Sequence, residues 1–226
     1  MSRELGLVAH YGAKTPTFEA ALTPLQKFLS DRFTGSYTPR DSFQVHATIL
    51  YLGKADEVDP EGVRCLAREW QASFIHPLHI QFGGIVVAAD PGIDAMRTFD
   101  VARNWCLVHG WPIEPATNGV WAKNDLAALR RSVERFGFRH LYRDVTPFGD
   151  PNCYTKVGYM NGEPLLGSDL AEVRGYLAAR PFHLDIGYQD LVVVGYEDDT
   201  LPPTRTVAVS LAEVAADERA WDALSR

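Results

Sequence analysis

The sequence predicts an α+β fold with two pseudo-symmetric lobes, each an antiparallel sheet with outer helices, around a central groove. One observation is that apolar stripes at helical spacing alternate with short β-branched segments along the chain. Another is an internal repeat: residues 77–83 and 181–187 share the pattern Pro-x-His-x-x-x-Gly. Each copy follows a capped helix and a strand that contains threonine. We therefore expect one bilobal domain over residues 1–226, with lobes at about 1–115 and 116–226 and with termini that can cross between them.

Composition excludes several classes of protein. The chain of 226 residues carries a net charge of −7 and no run of Lys or Arg, so an extended surface for duplex DNA is not expected. No apolar run approaches the ~20 residues that span a bilayer, so no membrane partner is expected. Three cysteines at irregular spacing argue against a disulfide framework and for a reducing, cytoplasmic location. The protein is expected to be a monomer.

The elements of lobe one follow from local signals. Residues 5–12 read as a first strand that ends at a glycine. Thr23 is the expected N-cap of the first helix, with Pro24 at its first position. Asp59-Pro60 opens a second helix with the same kind of signal. Strands are expected at 43–53 and at 77–87, where a glycine pair indicates a bulge or a close approach of two backbones.

The elements of lobe two repeat this order. Helices are expected to begin at Asn124 and at Ser168. Short apolar segments predict strands over 153–159, 181–194 and 206–211, and a short helix ends the chain. Two further strands are expected over 98–103 and 105–112, either in the connection between the lobes or as extra strands of lobe one.

A pair of functional side chains lies in the strand 43–53. Because side chains alternate along a strand, His46 and Thr48 share one face. Histidine can transfer a proton near neutral pH, and a threonine hydroxyl can donate to an oxyanion. The repeat makes Cys153 and Thr155 the equivalent residues of the second lobe.

These motifs resemble those of the 2H phosphoesterases, the LigT or 2′-5′ RNA ligase-like superfamily, in which each lobe contributes a His-x-Thr strand to a central groove. The resemblance implies a metal-independent phosphodiesterase without a cofactor. Its ligand would be a cyclic phosphate, a 2′-5′-linked or small nucleotide, or an RNA end. His46 would be an acid or base, and Thr48 and Thr155 would donate to the phosphate.

The second motif departs from the family pattern, because Cys153 replaces its histidine and Lys156 replaces an apolar residue. A thiol is mostly protonated at pH 7, so Cys153 is a possible acid and, as a minor alternative, a nucleophile. Three readings stay open. Tyr154 or Lys156 takes over the role if the strand register turns it inward, although a regular strand points Lys156 to the opposite face. Otherwise the enzyme acts asymmetrically, or the site binds phosphate without turnover.

Loops before the two motif strands contain further candidates for ligand binding. Tyr37 and Phe148 are aromatic residues that can stack on a base, and Arg40 and Arg143 can pair with phosphate. No metal-ligand spacing is present. The alternatives to a phosphodiesterase are a nucleotide- or phosphate-binding protein on the same fold and a different enzyme in which the His46 strand is structural.

Overall fold

The computed structural model of the protein describes residues 2–84, 98–114, 125–138, 152–162 and 165–225, and the structural statements below refer to these residues. The strands are β1 (Glu4–Ala9), β2 (Tyr37–Pro39), β3 (Ala47–Lys54), β4 (Leu78–Phe82), β5 (Phe99–Ala102), β6 (Trp105–Pro112), β7 (Cys153–Met160), β8 (Phe182–Ile186), β9 (Leu191–Tyr196) and β10 (Thr206–Ser210). The α-helices are α1 (Pro16–Arg32), α2 (Pro60–Ser73), α3 (Asp125–Ser132), α4 (Gly167–Ala179), α5 (Leu211–Ala216) and α6 (Arg219–Ser225).

The strands form one open antiparallel sheet, which confirms the predicted α+β class. The strand order is β10-β9-β1-β3-β7-β6-β4-β8, with β2 paired to β7 and β5 paired to β6. Strands β3 and β7 are joined by one residue pair, Ala47 with Thr155, whereas β1 pairs with β3 along its whole length. The sheet therefore divides between β3 and β7 into a first half (β10, β9, β1, β3) and a second half (β7, β6, β4, β8).

The two halves of the sheet do not follow the order of the chain. In the first half, β9 and β10 from the C-terminal part of the chain join β1 and β3. In the second half, β4 pairs with both β6 and β8. The division therefore differs from the expected one near residue 115, because each half takes strands from both parts of the chain.

The core lies on one face of the sheet. Helices α1 and α2 bury apolar stripes in the same hydrophobic cluster as Ala47 and Ile49 of β3 and Cys153 and Val157 of β7. Because side chains alternate along a strand, residues 46, 48, 154 and 156 face the opposite side of the sheet. This alternation positions the candidate site.

The start of helix α1 differs from the prediction. The N-cap is Thr15, whose side-chain oxygen accepts a hydrogen bond from the backbone N–H of Phe18 at 3.3 Å, and Pro16 is the first helical residue. The predicted cap at Thr23 is wrong, because Pro24 lies inside the helix. Phe18 is buried beside the predicted leucine stripe and adds a turn of core contacts at the N-terminal end of the helix.

Helix α2 begins as predicted, with the Asp59 carboxylate accepting from the N–H groups of Glu61 and Gly62 at 3.1 Å each. The expected strand over 181–194 is two strands, β8 and β9, separated by a short 3₁₀ turn. The predicted close approach at Gly83 is confirmed, because a Cβ there would collide with the carbonyl oxygen of Leu177. No helix in the described ranges is long and apolar enough to cross a membrane.

Candidate functional site

A cavity of about 300 Å³ lies on the face of the sheet opposite the core, where the two halves meet. Strands β1, β3 and β9 of the first half supply one wall. Strand β7 and helix α3 supply the other, and the loop between β9 and β10 borders the cavity. The polar residues that line it include His46, Thr48, Arg130, Tyr154, Lys156 and Asp199.

The register between β3 and β7 decides which side chains meet in the cavity. Ala47 is paired with Thr155, and both residues are buried in the sheet. In an antiparallel ladder this pairing places His46 opposite Lys156 and Thr48 opposite Tyr154. The partner of the His46-x-Thr48 pair is therefore Tyr154-x-Lys156.

Cys153 and Thr155 face away from the cavity, which corrects their predicted placement beside His46. The Cys153 side chain is fully buried and belongs to the hydrophobic core. Thr155 is also buried, and its hydroxyl oxygen has no hydrogen-bond partner among the described residues. The physical reason is the two-residue period of a strand, by which a shift of one residue exchanges the two faces.

His46 is a neutral imidazole with a defined tautomer. Its Nδ1 lies 2.7 Å from the carbonyl oxygen of Gln44. A carbonyl only accepts, so Nδ1 carries the proton and Nε2 keeps its lone pair. Burial, together with the positive charges of Arg40, Lys156 and Lys14, lowers the pKa of His46 to about 3, against the opposing effect of the hydrogen bond to Gln44. Nε2 is therefore a proton acceptor at neutral pH.

Lys156 presents a cation opposite His46. Its ammonium lies 3.0 Å from a carboxylate oxygen of Asp199 and 4.6 Å from the centre of the Trp105 ring. Burial lowers the pKa of Lys156, and the hydrogen bond that its ammonium donates to Asp199 partly offsets this effect. The expectation that Lys156 points away from the groove is thus corrected.

Arg40 lies buried behind the cavity and holds the loop between β9 and β10. Its Nη2 donates to the carbonyl oxygens of Asp199, at 3.4 Å, and of Thr200. Its guanidinium lies 5.3 Å from the centre of the Trp105 ring, and its Nε and Nη1 have no hydrogen-bond partner in the described ranges. Burial lowers the pKa of Arg40 to about 10. Its charge reaches His46, whose protonated form it disfavours.

Tyr37, a predicted ligand contact, is a buried residue of the fold. Its hydroxyl donates to the carbonyl oxygen of Val157 at 2.9 Å, and its ring lies against Gly158. The prediction is corrected because β2 pairs with β7 and carries Tyr37 into the core. Arg143 and Phe148 lie outside the described residues.

Arg130 is a site residue that the sequence analysis did not identify. Its guanidinium donates to the carbonyl oxygens of Thr48 at 3.3 Å, Ile49 at 2.8 Å and Asn152 at 2.7 Å. One buried side chain thus joins β3 to the residue that precedes β7. A signal was present in the sequence, because Arg130 lies four residues after Leu126, on the core-facing stripe of α3, where an arginine is unusual.

The donor set of the site is that of an anion-binding groove. Within the described ranges, no group of three or more His, Cys, Asp or Glu side chains is arranged to hold a metal ion. The cavity instead combines a neutral imidazole, the cations Arg130 and Lys156 and several hydroxyl groups, together with two carboxylates, Glu4 paired with Tyr51 and Asp199 paired with Lys156. Such a set suits an anionic oxygen ligand, because ammonium, guanidinium and hydroxyl groups all donate hydrogen bonds.

The chain is similar to solved structures of LigT from E. coli. The apo form is 12% identical, with 92% of this chain and 94% of that chain covered and a TM-score of 0.43. In fold, this chain resembles LigT. A LigT structure complexed with 3′-AMP gives 13% identity, 92% and 95% coverage and a TM-score of 0.42. A crystal structure of a phosphoesterase gives 12% identity, 92% and 95% coverage and a TM-score of 0.40.

Likeness at this level describes the course of the backbone alone. No protein-family model and no curated protein sequence matches the chain.

Proposed function

We propose that the cavity binds a small phosphate ester and cleaves it as a metal-independent phosphodiesterase. The observation that carries the proposal is that His46, the residue before β3, and Lys156 of β7 flank the Ala47–Thr155 pair and line one cavity. One of these side chains is a proton acceptor and the other a proton donor. In-line displacement at phosphorus needs both, together with donors for the equatorial oxygens.

The roles follow from the chemistry of each group. Nε2 of His46 accepts the proton of the attacking hydroxyl or water while the new P–O bond forms. Lys156 neutralises the phosphate and gives a proton to the leaving oxygen as its P–O bond breaks. The hydroxyl of Thr48 donates to an equatorial oxygen. Thr155 has no part in this scheme, because it faces the core.

A bound phosphate also makes His46 a better base. In the unliganded protein the charges of Arg40, Lys156 and Lys14 disfavour a proton on His46. A ligand that brings negative charge into the cavity opposes these three cations. The pKa of His46 therefore rises on binding, towards the pH at which general bases work best.

The size of the cavity favours a small ligand. A volume of about 300 Å³ is at the lower end of the range of small-molecule sites, roughly 300–1,000 Å³. A 2′,3′-cyclic phosphate, a mononucleotide or the 2′-5′-linked end of an RNA suits this space better than an extended oligonucleotide does.

The second candidate is a nucleotide-binding protein without turnover. It is favoured by the salt bridge of Lys156 with Asp199, and by the described lining of the cavity, in which His46 is the one imidazole. Lys156 holds its proton more tightly than a second histidine would, which makes it a weaker acid.

A turnover assay separates the two functions. The substrates are 2′,3′-cyclic, 3′,5′-cyclic and 2′-5′-linked nucleotides, with the parent protein, His46→Ala and the control His76→Ala, a change at an exposed histidine away from the cavity. Loss of a general base lowers turnover by about 10²–10⁴-fold, so His46→Ala should lose activity while His76→Ala keeps it.

Binding of 3′-AMP, followed by calorimetry, completes the test. This probe is chosen because LigT was crystallised with it. Binding without turnover by the parent supports the second candidate. If the parent neither binds 3′-AMP nor turns over any of the substrates, both functions are refuted.

A further inference from the structure

The loop between β9 and β10, residues 197–205, borders the cavity and is held there by the side chains of Tyr11 and Arg40. The Tyr11 hydroxyl donates to the carbonyl oxygen of Leu201 at 3.0 Å, and Arg40 donates to that of Thr200. Leu201 is buried, lines the cavity and has a left-handed backbone with φ of +54°. The loop therefore has a defined conformation beside the candidate phosphate site.

This loop places a carboxylate on the cation that faces His46. Asp199 accepts a hydrogen bond from the Lys156 ammonium at 3.0 Å. The Asp199 side chain is 63% exposed, whereas that of Lys156 is 17% exposed. The carboxylate can therefore turn into solvent, whereas the ammonium stays in the cavity. A carboxylate and a phosphate present the same kind of anionic oxygen to an ammonium group.

Two cations lie near Trp105, and removal of the Asp199 carboxylate would leave them without their main counter-charge. Lys156 and Arg40 both lie over this ring, at 4.6 and 5.3 Å from its centre. Asp199 is the carboxylate that most strongly supports the charged forms of both residues, and Asp198 makes a smaller contribution. Without it, two largely buried cations face each other, and such charges require a counter-ion. An anion that enters the cavity supplies one.

We propose that Lys156 forms a phosphate subsite that is blocked in the unliganded protein by Asp199. The Asp199 carboxylate is paired with the Lys156 ammonium until the phosphate of a ligand displaces it. The inference rests on the proposed function, because it assigns the phosphate of that ligand to Lys156. Asp199 is then an internal competitor. It weakens the binding of every ligand that uses Lys156, including a phosphate-bearing product, and so it favours product release.

The size of the effect follows from the strength of the pair. When a competitor blocks the subsite, the apparent affinity equals the intrinsic affinity multiplied by the fraction of molecules in which the subsite is open. An ion pair between partly exposed groups contributes up to ~1 kcal/mol, which is about a fivefold change in affinity. Asp199→Asn should therefore bind 3′-AMP about fivefold more tightly than the parent.

Calorimetric titrations with 3′-AMP and with adenosine test the proposal. Adenosine is the matched probe without phosphate, and its affinity should be the same for Asp199→Asn and the parent. Glu197→Gln is the control for charge, because it removes one negative charge from the same loop at a residue paired with Arg3 outside the cavity. Its affinity for 3′-AMP should match that of the parent. Asp199→Ser should repeat the gain of Asp199→Asn.

A double variant identifies the cation. Lys156→Gln should bind 3′-AMP more weakly than the parent, and adding Asp199→Asn to Lys156→Gln should bring no gain. In turnover assays, Asp199→Asn should lower KM and, because product leaves more slowly, lower kcat as well. A loop residue with a structural role alone would not produce this pattern.

The outcomes separate this inference from the proposed function. If the parent binds 3′-AMP but Asp199→Asn binds it no more tightly than Glu197→Gln does, the closed subsite is refuted and the proposed function stands. A gain from Asp199→Asn that persists in the Lys156→Gln background also overturns the inference. If no variant binds 3′-AMP, the closed subsite is refuted, and the proposed function falls as well if the parent turns over none of the nucleotide substrates.

Discussion

The neutral state of His46 predicts an acid-sensitive stability that a single substitution should remove. Burial, with the nearby cations, lowers the pKa of His46 from its ordinary value of 6.5 to about 3 in the folded protein. Unfolding exposes the ring and restores the ordinary value. The unfolded chain therefore binds a proton below pH 6.5 that the folded protein refuses, so stability falls as the pH drops from 6.5 towards 3.

The magnitude follows from the two pKa values. Each pH unit between them corresponds to about 1.4 kcal/mol, so the full interval is worth about 5 kcal/mol at most. Between pH 7 and pH 5 the contribution of His46 to the free energy of unfolding should fall by about 2 kcal/mol. All other titrating groups act in the parent and in His46→Gln alike, so the difference between the two proteins isolates the histidine.

Urea unfolding of the parent and His46→Gln at pH 7, 6 and 5 measures this difference. The parent should lose about 2 kcal/mol more than His46→Gln over this interval. His76→Gln, at an exposed position, controls for the loss of a histidine elsewhere in the chain. If the difference between the parent and His46→Gln stays constant within about 0.5 kcal/mol from pH 7 to pH 5, the argument that burial keeps His46 neutral is refuted.

Three further substitutions test the arrangement around the site. Arg130→Met should lower the free energy of unfolding, measured in urea, by about 3–5 kcal/mol, because three carbonyl oxygens lose a buried charged donor. The control Arg131→Met, at an exposed position, should change it by less than about 0.5 kcal/mol. Thr155→Val should leave turnover unchanged and keep or raise stability by up to about 1 kcal/mol, since the hydroxyl has no partner among the described residues; reduced turnover would return Thr155 to the site. Gly158→Ala should lower the thermal midpoint by several degrees, because the added Cβ would collide with the Tyr37 ring. This shift corresponds to a loss of about 1–3 kcal/mol in the free energy of unfolding, and an unchanged midpoint contradicts this packing.

The elements that were predictable from the sequence are those with an unambiguous local signal. Helix α2 has one Asp-Pro step, at residues 59–60, and it begins there. Helix α1 has two Thr-Pro steps, at 15–16 and 23–24, that carry the same capping signal. The choice between them depends on Phe18, whose burial in the core makes the longer helix favourable. That contact joins parts of the chain that are distant in sequence, so the local pattern could not supply it.

In the candidate site, too, the local pattern predicted one strand correctly but could not decide which face of β7 lies in the cavity. The shared face of His46 and Thr48 was predictable from strand alternation, and both residues line the cavity. In β7, two pairs have the spacing of the motif, residues 153 and 155 and residues 154 and 156. The first pair was favoured in the sequence because Thr155 has the same residue type as Thr48. The structure has the second pair in the cavity, because a thiol and a small hydroxyl are buried at lower cost than the ammonium of a lysine.

This change of register alters the chemistry open to the groove. Two facing histidines have similar proton affinities, so either can act as the acid or as the base. His46 and Lys156 differ, since burial and nearby cations lower the pKa of His46 to about 3 whereas the Lys156 ammonium is paired with the Asp199 carboxylate. The resting protein therefore holds one proton on Lys156 and none on His46, which fixes the direction of proton transfer before a ligand enters. Cleavage in this direction requires the leaving oxygen to lie beside Lys156. A ligand that places its phosphate in the cavity with the leaving oxygen on the His46 side would be bound and left intact, so the regiochemistry of the ester decides between the two candidate functions.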